Sequence, residues 1–119
     1  MDIARLCLGI LFTLLSGWGD SKGFLHSARV WQQGRFVWPE AARASLGYGC
    51  GIVLYWVAIR YLRQVGIVSA EVHTLLWFAA TIVGVAVASA RFRGWQALDW
   101  AAAAGTILCL ALFILRTGG

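Results

Sequence analysis

The sequence predicts an all-α integral membrane protein built as a four-transmembrane-helix bundle, and three observations carry that expectation. Of the 119 residues, 61% are hydrophobic and only 13% are charged, so lipid rather than water is the solvent for most of the surface. Four apolar runs, at about residues 3–24, 44–64, 66–90 and 96–116, match the roughly 20 residues needed to cross a hydrocarbon core. The segments between them are short, or basic and aromatic, as headgroup-level segments are. Residues 1–119 are read as one membrane domain: the chain is too small for two soluble domains and shows no linker. A dimer or larger assembly is expected if a chain this short is to enclose a pathway.

The first run, Ile3 to Trp18, has the length of a signal-peptide core, but Leu15-Ser16-Gly17-Trp18 makes a poor small-residue cleavage site. Extended through Asp20, Lys22 and Phe24 it spans the membrane. Asp20 and Lys22 stand two apart, so they point to different sides of a helix and are not an automatic pair. Lys22 reads either as a snorkelling interfacial cation or as part of a charged cavity mouth that meets an anion.

Residues 26–43 then turn polar. Arg29, Arg35, Glu40 and Arg43 alternate with Trp31, Phe36 and Trp38, and Pro39 acts as a breaker. This mixture suits an interfacial loop lying on the membrane, with Arg29, Arg35 and Arg43 as candidates for a lipid phosphate. General anchoring explains the same residues.

In the second run Gly47 and Gly51 stand four apart with Tyr55 one turn on, which lets another helix approach closely. Arg60 and Arg63 close it. The short link that follows is expected to make the second and third spans antiparallel neighbours.

The third run, Val65 to Ala90, is the stretch on which the functional reading depends. It places Glu71, His73 and Trp77 inside an otherwise apolar span, and ionisable groups there usually face a bundle interior or a water-filled cavity. Ser69, His73, Trp77, Thr81, Gly84 and Ala88 follow three- and four-residue spacing and form one small-or-polar stripe. Glu71 lies about 200° around the helix from His73, so the two cannot share one groove. Packing would equally explain His73, and a helix-start carboxylate favoured by the dipole would explain Glu71.

Arg91, Arg93 and Trp95 form a basic aromatic turn before the fourth run, where Ala101, Gly105 and Cys109 make a small-residue seam suited to helix packing or dimerisation. Arg116 and the terminal Gly118-Gly119 end it. Cys7, Cys50 and Cys109 lack metal-ligand spacing and read as small buried apolar residues, with no metal and no disulfide. The ten Lys and Arg against five Asp and Glu are scattered over loop ends, which points to lipid headgroups and away from nucleic acid. Six basic residues fall on the side of the first and third loops and four on the other, a weak bias that places the long loop in the cytoplasm. No motif for a metal, nucleotide, cofactor or nucleophile–base set is present, so catalysis is not expected.

Gly51-Ile52-Val53-Leu54-Tyr55-Trp56-Val57-Ala58, the basic turn into Val65-Gly66-Ile67, and Asp99-Trp100 before an Ala/Gly-rich last helix together resemble the small multidrug resistance branch of the drug/metabolite transporter superfamily. That resemblance implies a small transporter in a bacterial inner (plasma) membrane, assembled as a homodimer or with a related small chain. Exporters of this branch carry a glutamate in the middle of the first helix. Here Leu11 to Ser16 has no carboxylate, which leaves the role to Asp20 or Glu71. Leu14-Leu15-Ser16, Gly19 and Lys22 are similar to the flippase subunits that move aminoarabinose-linked undecaprenyl phosphate.

The favoured expectation is therefore a transporter or flippase subunit moving an anionic lipid-linked or small polar metabolite. Lys22 and the loop arginines would attract a phosphate. Glu71 and His73 would offer hydrogen bonds or a proton-linked switch, and Trp77 would stack on a ring, with Asp20 and Tyr55 completing the site. The alternatives are a proton/cation antiporter of the small multidrug type and a non-transporting scaffold subunit of a lipid or glycan enzyme.

Overall fold

The computed structural model describes residues 2–117 and is an all-α membrane protein with four helices. Helix α1 spans Ile3–Ser27, α2 Trp38–Gln64, α3 Ala70–Ser89 and α4 Ala97–Thr117. The first three are long and apolar enough to cross a membrane. The apolar part of α4, Ala97–Phe113, is shorter.

Local chemistry accounts for most of the boundaries. Asp2 caps α1 by accepting from the amides of Ala4 and Arg5 at 3.0 and 3.3 Å. Ser69 caps α3 through the amide of Val72. Ala90, at φ 57°, turns the chain out of α3 into a 3-10 turn over Arg91–Gly94. The glycine stop expected at Gly118-Gly119 lies outside the described residues.

The segment expected to be an interfacial loop over residues 26–43 is largely ordered structure. α1 continues to Ser27, and Trp31–Gln32 (β1) pairs antiparallel with Arg35–Phe36 (β2) across a Gln33-Gly34 turn in which both residues have positive φ. Trp31, Phe36 and Trp38 pack edge to face along this hairpin. Pro39 opens α2 in place of breaking a helix, because a first-turn residue needs no amide donor.

The bundle is ordered α2, α1, α3, with α1 in the middle. The short turn after α2 was expected to make α2 and α3 direct neighbours. Both instead pack their small residues against α1, and their backbones approach each other very little. The reason lies on α1, which is glycine- and serine-rich on both sides. An added Cβ at Gly19 or Gly23 would meet Gly47, Gly51 or Tyr48 of α2, and one at Gly17 would come within 2.7 Å of Ala80 on α3. Small residues on both partners let backbones approach closely, and bulkier neighbours cannot match that proximity.

The fourth helix stands apart. It contacts mainly α3, and no described residue of α4 is buried. The three cysteines, expected to be buried, are all exposed: Cys7 and Cys50 lie outside the small-residue crossings of α1 and α2, and Cys109 is on α4, where no described residue is buried.

Candidate functional site

The largest concentration of buried polar groups lies where α1 meets α2 and α3. Thr13, Ser16, Asp20 and Ser21 on α1, with His73 and Thr81 on α3, are buried, while the buried apolar residues are few and small apart from Leu62 and Val72. This is an inversion of a soluble core, and it is what a protein dissolved in lipid affords itself: leucines outside, hydroxyls and glycines between helices.

Asp20 is the centre of this cluster. Its side chain fits because position 51 has none: a Cβ on Gly51 would fall on the Asp20 carboxylate. Gly51 is the central residue of the 27-residue α2, so the carboxylate faces the middle of that helix. The hydroxyl of Ser16, one turn before Asp20, donates to the Gly51 carbonyl at 2.7 Å and fixes the crossing. From the other side the indole Nε1–H of Trp77 donates to Asp20 Oδ2 at 2.6 Å, and the ring of Tyr55 lies edge-on to that indole at 6.5 Å.

The electrostatics are one-sided. Asp20 is 5% exposed, and among the described residues no Lys, Arg or His lies within 4 Å of it. An ionised carboxylate has about four acceptor positions, of which Trp77 occupies one. The carboxylate therefore keeps acceptor positions for a proton or a further hydrogen-bond donor. Close by, Ser21 donates toward the carbonyl of Thr81 at 3.0 Å, and Thr81 Oγ1 is enclosed without a hydrogen-bond partner.

The remaining candidates go elsewhere. Lys22 turns outward and places Nζ 5.1 Å from the centroid of the Trp18 ring, a cation–π contact rather than a partner for Asp20. Glu71 is exposed at the start of α3 and accepts from the Ser69 hydroxyl at 2.8 Å. His73 is buried, but its Nε2–H donates to the Ile67 carbonyl at 2.6 Å, so it ties down the α2–α3 turn and does not open toward Asp20. The helical offset that separated Glu71 from His73 in the sequence has sent one to the surface and the other into packing. Arg29, Arg35 and Arg43 are exposed around the hairpin end. Arg43 pairs with Glu40 at 2.9 Å, and Glu40 also holds His26 at 2.7 Å, which joins the end of α1 to the start of α2.

Thus the structure brings Asp20, Trp77 and Tyr55 together and leaves Glu71, His73, Lys22 and the three arginines apart from them. The sequence reading missed Ser16, Gly51 and Thr81 as parts of the site. The signal was present: Gly9, Thr13, Ser16, Asp20, Gly23 and Ser27 recur at alternating four- and three-residue intervals, which marks one face of α1 as small and polar. Among the described residues no three His, Cys, Asp or Glu side chains cluster as metal ligands.

Two cavities lie along α3. One of about 480 Å³ lies between α3 and α4 and is lined by apolar residues such as Ile82, Val83, Trp100 and Ile107. The other, of about 420 Å³, runs between the end of α1, α3 and the following turn, and reaches the Trp77 ring whose N–H engages Asp20. Comparison of the chain with known protein families, with characterised proteins and with solved structures gave no match.

Proposed function

We propose that this protein is a subunit of a small membrane transporter in which the Asp20 carboxylate alternately holds a proton and a cationic or hydrogen-bond-donating cargo. The supporting observation is the position of Asp20, buried against the mid-point of α2 with one side-chain hydrogen bond and no basic neighbour within 4 Å among the described residues. A buried charge without a partner is expensive, and intramembrane acidic groups that persist usually serve a pathway. Trp77 then acts as the movable partner: cargo that replaces its N–H at Asp20 frees the indole to stack on it, with Tyr55 alongside.

This reading prefers the proton/cation alternative over an anionic lipid-linked cargo. All the arginines are exposed and, among the described residues, Asp20 is the one buried carboxylate, so like charge repels an anion beside it. Assembly with a second copy or a related small chain accompanies the proposal, because the exposed α4 has a glycine, Gly105, that meets nothing within 4 Å. A bacterial plasma membrane fits the family resemblance.

The test is uptake of a lipophilic cation such as tetraphenylphosphonium into proteoliposomes that carry a pH gradient. Wild-type protein drives accumulation, and Asp20→Asn abolishes it while Glu71→Gln and His73→Leu retain it. Full activity in Asp20→Asn would discard the proposal and leave the scaffold reading.

A further inference from the structure

The cavity beside α3 shares Trp77 with the transport reading, but its apolar length and the cation at its far end are not used by that reading. It is walled by Phe24 from α1 and by Phe78, Ile82 and Val85 from α3, and it ends at Arg91 and Trp95. Its sides are almost wholly apolar, and one cation stands at one end. Arg91 is exposed, and among the described residues it has no acidic partner within 4 Å.

The length of the groove is informative. From Trp77 to Ser89 along α3 is about 18 Å at 1.5 Å per residue, close to one leaflet's share of a hydrocarbon core roughly 30 Å thick. Arg91 lies just past the end of α3, where a lipid phosphate would stand, and Trp95 packs edge to face on Trp100 at 4.9 Å, at the level where indoles favour the interface. The left-handed conformation of Ala90 turns the chain so that Arg91 reaches the groove's end.

We infer that this groove is a binding site for one anionic phospholipid, with an acyl chain along α3 between Phe24 and Val85 and the phosphate group on Arg91. The site adjoins the Asp20 cluster at one end, where Trp77 and Thr81 line it, and runs from there along α3 to Arg91; it selects lipids by charge at Arg91 and by chain contact at Ala86 and Ile82. None of the arginines of the hairpin end, Arg29, Arg35 or Arg43, lines it.

Trp77 and Trp95 both line the groove, so a chain seated there brings its carbons against two fluorophores. The experiment reconstitutes the full chain in phosphatidylcholine bilayers containing either acyl-brominated phosphatidylglycerol or acyl-brominated phosphatidylcholine, and reads quenching of tryptophan emission. Wild-type protein is expected to reach half-quenching at an about five-fold lower mole fraction of the anionic lipid, the preference that one basic residue supplies near a surface. Arg91→Gln removes that preference, Arg91→Lys keeps it, and Arg43→Gln keeps it. Ala86→Phe, which fills the groove with Arg91 still present, also removes it.

Equal quenching by the two lipids in wild type overturns the inference. So does a preference that survives Arg91→Gln, or one that Arg43→Gln and Arg91→Gln lower equally, since that is binding to the basic rim at large. A preference that survives Ala86→Phe rules out the seated chain. Disulfide crosslinking between copies through Ser89→Cys, blocked by Ala86→Phe and accompanied by no lipid preference, would assign the groove to a second copy and overturn it likewise.

Discussion

Helices α1 and α4 use the same ingredients with opposite results. Each carries small residues at near-helical spacing among leucines and alanines, yet the small face of α1 is filled on two sides and that of α4 is left open. Gly17 and Gly23 would each drive an added methyl into a neighbour at 2.7 Å, whereas Gly105 would meet nothing. The difference is hydrogen bonding. Ser16 and Ser21 of α1 donate to carbonyls of α2 and α3, at Gly51 and Thr81, while Thr106 of α4 donates back to Ala102 of its own helix. In lipid, where apolar surface alone does not drive helices together, a small seam joins a bundle when polar groups cross it.

Substitutions can break this comparison, and the largest effect is expected at the crossings. Gly17→Val places two methyls into the Ala80–Thr81 backbone and should cost about 3 kcal/mol or prevent folding, read as loss of a monodisperse species in detergent. Gly105→Val should change the stability of the isolated chain by less than about 0.5 kcal/mol. Equal damage from the two would mean that α4 is packed as tightly as α1. Ser16→Ala comes next, leaving the Gly51 carbonyl without its donor, for about 1 kcal/mol by steric-trap or denaturant unfolding.

Trp77→Phe removes the single hydrogen bond to Asp20 and keeps the ring, so stability should fall by about 0.6 kcal/mol, while half-saturation for the cation in the uptake assay shifts severalfold. His73→Leu should cost about 1 kcal/mol or less by releasing the Ile67 carbonyl, with transport retained. Smallest is Glu71→Gln, within about 0.5 kcal/mol and neutral for uptake, because the carboxylate is exposed and its contact with Ser69 is local. A large transport defect in Glu71→Gln beside an unaffected Asp20→Asn would restore the third helix as the functional centre.

The four helices could be read from hydropathy because lipid demands long apolar runs, and the close approach at Gly47 and Gly51 could be read from their spacing. The bundle order could not, since a short connection constrains direction and says little about which faces fit. Asp20 was visible as a charge near a helix end. Its importance depends on Gly51 and Trp77, 31 and 57 residues away, and no local pattern pairs them. Glu71 and His73 are ionisable groups in an apolar run, yet the Ser69 hydroxyl, two residues from Glu71, and the Ile67 carbonyl, six residues from His73, satisfy them locally. Pro39 misled for a similar reason: the same ring that ends a helix from within begins one at its first turn.

The central placement of α1 also bears on biogenesis. This segment leaves the ribosome before either of the helices that cover its carboxylate, and an aspartate costs about 2.5–3.5 kcal/mol at a helix centre on insertion scales, somewhat less at the position of Asp20, past the middle of α1. Asp20 finds Gly51 only once α2 has entered, so the translocon should release these two segments as a hairpin, with the His26–Glu40 pair clasping their adjoining ends.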